Sequence, residues 1–386
     1  MRHDHATALV LDRMRQASRD AGVLFPVWAP ATVDGAPPGG AGGWRLGAAD
    51  DWTAGFSVAA LWLAAHTGLG ERREAVEAMR RLQPAPESAS AFRGFVFQYG
   101  AALGDVLFAD REAREAAVTA ARRLAAAAHL VTGVIPLGEP DLVMPGSTGG
   151  LVYVDAVGPT VALLAHAADR TGDEGLRELA GRLALWTLDA LVRPDGSMAQ
   201  AATYDEDSGA VLSVYTAEQG LRRDSTWARS QAWGLLAAGT AAVRCPAVTG
   251  AALIHGRAVA DWWIGHVRDD DGWVPQWDFD APPDDPPDTS AAAIAAAGLL
   301  RLAAAERSSA DGGSARYAAA AEATLNALLR LVTPTHDSDP RPPGMLTEGC
   351  YHRPHRLAIR AELIWGDYYL VECLLAGLGQ LDLHQL

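Results

Sequence analysis

The 386-residue sequence predicts an all-α fold, an (α/α)6 barrel of six helical hairpins forming a single domain over residues 1–386. Three observations lead there. A unit recurs along the chain: an Ala/Leu-rich helix, a Gly- or Asp-bearing turn, then a more charged amphipathic helix. Counting the N-terminal helix and the closing "IWGDYYLVECLLAGLG" gives about six such pairs, enough to close a ring. Finally, long Gly/Pro/Asp-rich segments run into helix starts that carry Trp, Asp or Arg, which gathers polar and aromatic residues at one end of the inner helices. An open solenoid would show more uniform units and polar caps at its ends.

Taken in order, the first helix and a Gly/Pro-rich loop (residues 1–50) pack on the barrel. "VAALWLAAHTGLGERREAVEAMRRLQ" then reads as helix, turn and helix, broken at Gly68 and Gly70. The same grammar returns at "VLFADREAREAAVTAARRLAAAA", "VALLAHAADRTGDEGLRELAGRLALWTLDAL" and "AWGLLAAGTAAVRCPAVTGAALIHGRAVADWWIGHV". It appears again at "AAAIAAAGLLRLAAAERSSADGGSARYAAAAEATLNALL". In each pair the apolar helix suits an inner position and the charged one an outer position. Trp62, Trp186, Trp262 and Trp263 read as packing residues, and Asp278, Asp280 and Asp288 as helix caps and loop anchors.

Composition narrows the function. A net charge of −15 disfavours nucleic acid and anionic membranes, both polyanions. The N-terminus has no apolar core of signal-peptide length, and no apolar run reaches membrane-spanning length, so the cytoplasm is the expected location. Cys245, Cys350 and Cys373 are scattered and have no metal-ligand spacing; neither a metal nor a cofactor is expected. How the chains assemble is not legible in this pattern.

"DSTWARSQAW" is the least ordinary helical stretch. Read as a helix, it sets Thr226, Arg229 and Trp233 on one face, with Trp227 and Gln231 on the next stripe. A helix that turned this face to a plain core would carry Leu, Ile or Val there. Indoles, a guanidinium and an amide suit the wall of a polar pocket.

"DDWTAGFSVAALWLAAHTG", "VYVDAVGPTVALLAHAADRTGD", "DSTWARSQAWGL", "WDFDAPPDDPPDTSAAAIAAAGLL" and "IWGDYYLVECLL" together resemble the unsaturated glucuronyl hydrolases, glycoside hydrolase family 88. The resemblance runs from about residue 45 to the C-terminus, and it implies the same (α/α)6 barrel. It also implies an unusual reaction, in which one aspartate protonates the C4=C5 vinyl ether of an unsaturated uronic acid and water adds at C5. By the "VYVDAVG" motif that aspartate is Asp155. A carboxyl group in an aromatic pocket has its charged form desolvated, which raises its pKa toward the working pH. Trp52, Gln219, Arg229 and Trp233 match positions that line the sugar site, with Phe92, Gln200 and His352 as further lining residues. Trp faces stack on sugar rings, while Gln and Arg donate hydrogen bonds.

The chain also departs from the family. Where the family carries a His-Asp pair before Gly-Phe, "SASAFRGFVFQYG" places Ala91 and Phe92. The family's His after "DGS" is absent from "DGSMAQA", which leaves Gln200 or Ala201. Retention of Asp155 beside these losses suggests changed specificity, namely a divergent hydratase or dehydratase acting on a small neutral sugar or nucleoside. The alternatives are an unsaturated glucuronyl hydrolase of uronide oligosaccharides and a non-catalytic sugar-binding protein. In every case the partner is a small sugar, glycoside or nucleoside.

Overall fold

A computed structural model describes residues 2–31, 43–82, 90–137, 150–267, 272–307 and 313–386. Residues 32–42 of the Gly/Pro-rich loop, and "GEPDLVMPGSTG" ahead of the Asp155 motif, lie outside the described residues.

Six helices form the inner ring: α2 (Ala54–His66), a broken helix made of α4 (Arg93–Phe97) and α5 (Leu103–Phe108), α7 (Val157–Thr171), α9 (Ala228–Arg244), α11 (Thr289–Glu306) and α13 (Ile364–Gly377). A π-turn, Gln98–Ala102, joins α4 to α5. The outer ring is α1 (His3–Asp20), α3 (Arg72–Arg81), α6 (Arg111–Ala127), α8 (Glu174–Leu191), α10 (Thr249–His266) and α12 (Gly313–Leu329). Burial separates the two rings as the composition predicts. In α2 every residue from Ala54 to Ala64 is buried, whereas α3 buries only Ala75, Ala78 and Met79. The ring closes because α1 packs on both α2 and α13. One continuous apolar core runs from Ala6 to Leu386.

Small residues let the inner helices approach closely. A Cβ on Gly298 of α11 would lie 2.8 Å from the Leu235 backbone of α9, and one on Gly239 of α9 would lie 2.9 Å from the Gly298 carbonyl. Helix α11 is long and apolar enough to cross a membrane, but 89% of it is buried inside the barrel, as a core helix is.

Among the described residues seven short strands accompany the helices, which the all-α reading did not anticipate. One antiparallel sheet has the order β2 (Arg45–Gly47), β1 (Phe25–Pro30), β7 (Leu357–Leu363), β6 (Gly349–His352). The other runs β3 (Gly150–Tyr153), β4 (Ala201–Tyr204), β5 (Val211–Tyr215). Both are built from the connecting segments, so they decorate the barrel without replacing any part of it. The (α/α)6 prediction holds.

Candidate active site

The inner helices begin at the same end of the barrel, and their starts carry the candidate residues. Trp52 precedes α2, Phe92 is the N-cap of α4, and Asp155 sits in the 3-10 turn Val154–Ala156 that leads into α7. Trp227 caps α9, Asp288 caps α11, and Trp365 opens α13. Neighbouring rings touch across these starts: Trp52 meets Trp365 at 4.8 Å and Phe95 at 5.1 Å, and Phe95 meets Trp233 at 5.3 Å.

The second sheet sets the polar group. Tyr153 pairs with Ala201, and Ala201 pairs with Tyr215, so Asp155, Gln200 and the loop carrying Gln219 emerge at one end of the sheet. The Val154 N–H donates to the Gln200 carbonyl at 3.0 Å, which extends the ladder to the residue beside Asp155. Gln200 Nε2 faces Asp155 Oδ2 at 3.4 Å and donates to Gln219 Oε1 at 2.9 Å. The Ala217 N–H donates to Gln200 Oε1 at 3.1 Å. Asp278, itself fully buried, accepts from Leu221 N and Ser225 Oγ and so ties down the Gln219 loop.

Asp155 is 9% exposed. Burial pushes its carboxyl up to about 6, against the opposing pull of the Arg229 charge and the Gln200 amide. A carboxyl group so placed holds or releases a proton near neutral pH, which is what an acid–base catalyst requires.

Arg229 is also buried, and both of its Nη nitrogens are engaged by the protein. Its Nη1 donates to Asp288 Oδ2 at 2.7 Å and to the Cys350 carbonyl, and its Nη2 donates to the Tyr351 carbonyl. The guanidinium lies over the Trp227 ring at 4.5 Å. It pins strand β6 to α9 and α11, and it acts on Asp155 through its charge. Trp233 is 2% exposed and is packed by Phe95 and by Tyr369 at 5.7 Å, a floor beneath the aromatic group. Trp52 is half-buried and donates from Nε1 to Tyr351 Oη at 3.3 Å. Gln200 is fully buried, with both its amide oxygen and nitrogen engaged by the protein.

His352 is buried and stacks on His355 at 4.0 Å. Its Nδ1 accepts from the His355 N–H at 3.3 Å, and burial pushes its pKa down, so the neutral ring carries its proton on Nε2. That Nε2 and Trp365 Nε1 are both buried with no hydrogen-bond partner among the described residues. Orphaned buried donors at the rim of a site are groups that a ligand would satisfy.

Phe92 lies 6.3 Å from Phe95 with nearly parallel rings, and it packs with Ala91 on an apolar cluster of Leu137, Leu151, Ala201, Tyr215 and Ala217. This wall is mostly apolar, its polar atoms being the hydroxyls of Tyr215 and of Tyr153, which packs against the cluster. No group of His, Cys, Asp and Glu residues suited to a metal occurs among the described residues.

No family profile matches the chain. The unsaturated glucuronyl hydrolase of Bacillus sp. (strain GL1) is 31% identical over 339 residues, covering 84% of this chain and 85% of that protein. The chain belongs to the unsaturated glucuronyl hydrolases, glycoside hydrolase family 88. The crystal structure of the Bacillus hydrolase, described as responsible for the degradation of glycosaminoglycan, superposes with a TM-score of 0.82 at 27% identity, over 97% of this chain and 96% of that one. An aspartate-to-asparagine variant of such a hydrolase, solved with dGlcA-Glc-Rha-Glc, gives 0.81 at 27% identity over 96% of each chain.

The site brings together Asp155, Gln200, Gln219 and Arg229, with Trp52, Phe92, Trp233 and His352 on the helix starts and strand ends around them. Sequence reasoning missed Tyr351, Trp365 and Phe95. The signal for Trp365 was present in "IWGD", an indole at the start of an inner helix, much as Trp52 stands at the start of α2.

Proposed function

We propose that the chain hydrolyses 4,5-unsaturated uronyl glycosides, with Asp155 as both acid and base. The observation that carries this reading is a buried carboxyl group at the start of an inner helix, facing the Gln200 amide and pushed up to about 6. In the acid form Asp155 gives its proton to C4 of the vinyl ether, and positive charge develops at C5 and the ring oxygen. The resulting carboxylate takes a proton from water as the hydroxyl bonds to C5. The hemiketal formed then opens and releases the sugar that was glycosidically bound. One proton leaves Asp155 and one returns, so the enzyme ends as it began. Proton transfer of this kind is typically worth about 10² to 10⁴ in rate.

An anionic sugar suits the surroundings. Six inner helices present their N-terminal ends to this region, and the partial positive charge of those ends favours a carboxylate. Trp365 Nε1 and His352 Nε2 are buried donors ready to meet sugar oxygens. The relatives act on unsaturated uronides, and nothing among them favours the neutral sugar or nucleoside expected from Ala91 and Phe92. Those two residues instead support a uronide hydrolase with one apolar wall and a correspondingly altered preference among uronides. The test is loss of the ultraviolet absorbance of the conjugated C4=C5 bond in an unsaturated uronyl disaccharide. Turnover by the wild-type chain that disappears in Asp155→Asn supports the reading, and an inert wild-type chain sinks it.

A further inference from the structure

Gln200 stands out among the buried polar residues because its carbonyl and both ends of its side-chain amide are used, and all are used at the site. Its main-chain carbonyl accepts from Val154, the neighbour of Asp155. Its side-chain Oε1 accepts from the Ala217 N–H at 3.1 Å. A backbone N–H can only donate, so this contact fixes which end of the amide is oxygen. Nε2 must then point the other way, toward Gln219 Oε1 at 2.9 Å and Asp155 Oδ2 at 3.4 Å. With the side chain fully buried, water cannot compete for either contact.

An amide nitrogen donates and does not accept. Asp155 Oδ2 therefore faces a fixed N–H donor in both protonation states, and a proton placed on Oδ2 would oppose it. We propose that Gln200 is the positioning residue of Asp155: its locked amide keeps Oδ2 as an acceptor and leaves Oδ1 to carry the acidic proton. The same contact favours the carboxylate and so limits how far burial raises the group. This inference rests on the reading of Asp155 as acid and base, and it adds which oxygen does the work and what holds it.

The arrangement grows from the second sheet. Strands β3, β4 and β5 fix Asp155, Gln200 and the Gln219 loop in register, and Asp278 anchors that loop from the far side through Leu221 N at 2.9 Å. The 3.4 Å separation from Asp155 is long for a hydrogen bond to a charged acceptor, which makes the expected effect moderate. Loss of the donor should raise the midpoint of Asp155 by about one pH unit, a tenfold change in its acid-to-carboxylate ratio.

The experiment is difference infrared titration of the whole protein without substrate. The protonated carboxyl band of Asp155 is assigned by its absence in Asp155→Asn. Gln200→Met removes the donor, and Gln200→Glu keeps the shape but sets a carboxyl against Oδ2. Both variants should move the Asp155 midpoint upward, Gln200→Glu by more, because two carboxyl groups then share the site. An unchanged midpoint in either variant, with thermal unfolding like that of wild type, overturns the proposal. If Gln200→Met fails to fold, the isosteric Gln200→Glu decides. Because no substrate is present, a chain inert toward unsaturated uronides would refute the proposed activity and leave this result standing.

Discussion

The Arg229 guanidinium meets the Asp288 carboxylate at 2.7 Å, with the two side chains 2% and 0% exposed. The pair joins the first turn of α9 to the cap of α11, and Arg229 extends the link to β6 through the carbonyls of Cys350 and Tyr351. Asp288 also accepts from Ser290 N and from Cys350 N. The arginine that the sequence marks for the sugar site thus also ties two inner helices and a strand together.

Breaking that tie should unfold the protein more readily than it changes specificity. Removing one partner of a buried pair leaves the other charge uncompensated, at a cost of about 3 to 5 kcal/mol. Urea unfolding of Arg229→Met and of Asp288→Asn should each show a loss of this order. The double variant should lose less than their sum, because it strands no charge. Single losses below about 1 kcal/mol would mean that the pair is solvated in solution.

The pH dependence follows from Asp155. In the proposed reaction its acid form protonates C4, and burial pushes its carboxyl up to about 6. The value of kcat/KM reports the free enzyme, so it should fall about tenfold per pH unit above roughly 6. A profile of disaccharide turnover that stays level from pH 5 to 8 would assign the proton to another group.

The raised carboxyl also predicts a cost in stability. A carboxyl whose folded-state pKa is raised contributes stability below its ordinary value of 3.8 and loses it as pH rises through about 6. A rise from 3.8 to about 6 corresponds to about 3 kcal/mol at most. Asp155→Asn should therefore unfold at a higher temperature than wild type at pH 7.5, with the difference closing toward pH 4. Equal melting temperatures at pH 7.5 would show that the carboxylate is well solvated where it sits.

The barrel was legible because its signal is long. Inner helices such as α11, buried nearly all round, differ plainly from charged partners such as α3, and the contrast repeats. The strands were not, because they are three to seven residues long and only β5, "VLSVY", is a run of β-forming residues. Asp155 could be singled out as a candidate by its motif. The working state of Gln200 and Arg229 could not, since burial and partners decide whether an amide or a guanidinium faces a ligand or the protein. Asp288 lies 59 residues from Arg229 and Ala217 lies 17 from Gln200, distances that no local pattern spans.

Phe92 offers the sharpest test of specificity. Its ring stacks near Phe95 and covers the cluster around Leu151 and Tyr215, yet it remains only half-buried. It precedes α4 in helical backbone, where the N–H groups of Arg93, Gly94 and Phe95 already meet the carbonyls of Ser90, Ala91 and Phe92. Phe92→Asp should lose packing against the apolar cluster, and because the ring is only half-buried the loss should leave a folded protein. A carboxylate there would supply a charged acceptor for sugar hydroxyls on a mostly apolar wall, and one such hydrogen bond is worth about 1 to 3 kcal/mol. The expected result is a rise in kcat/KM for unsaturated uronyl disaccharides of roughly tenfold, mainly through KM. The measurement is loss of the C4=C5 absorbance by wild type and variant across a panel of such disaccharides. A folded variant that gains on none of them would show that the apolar wall does not face the sugar, and that Ala91 and Phe92 leave specificity untouched.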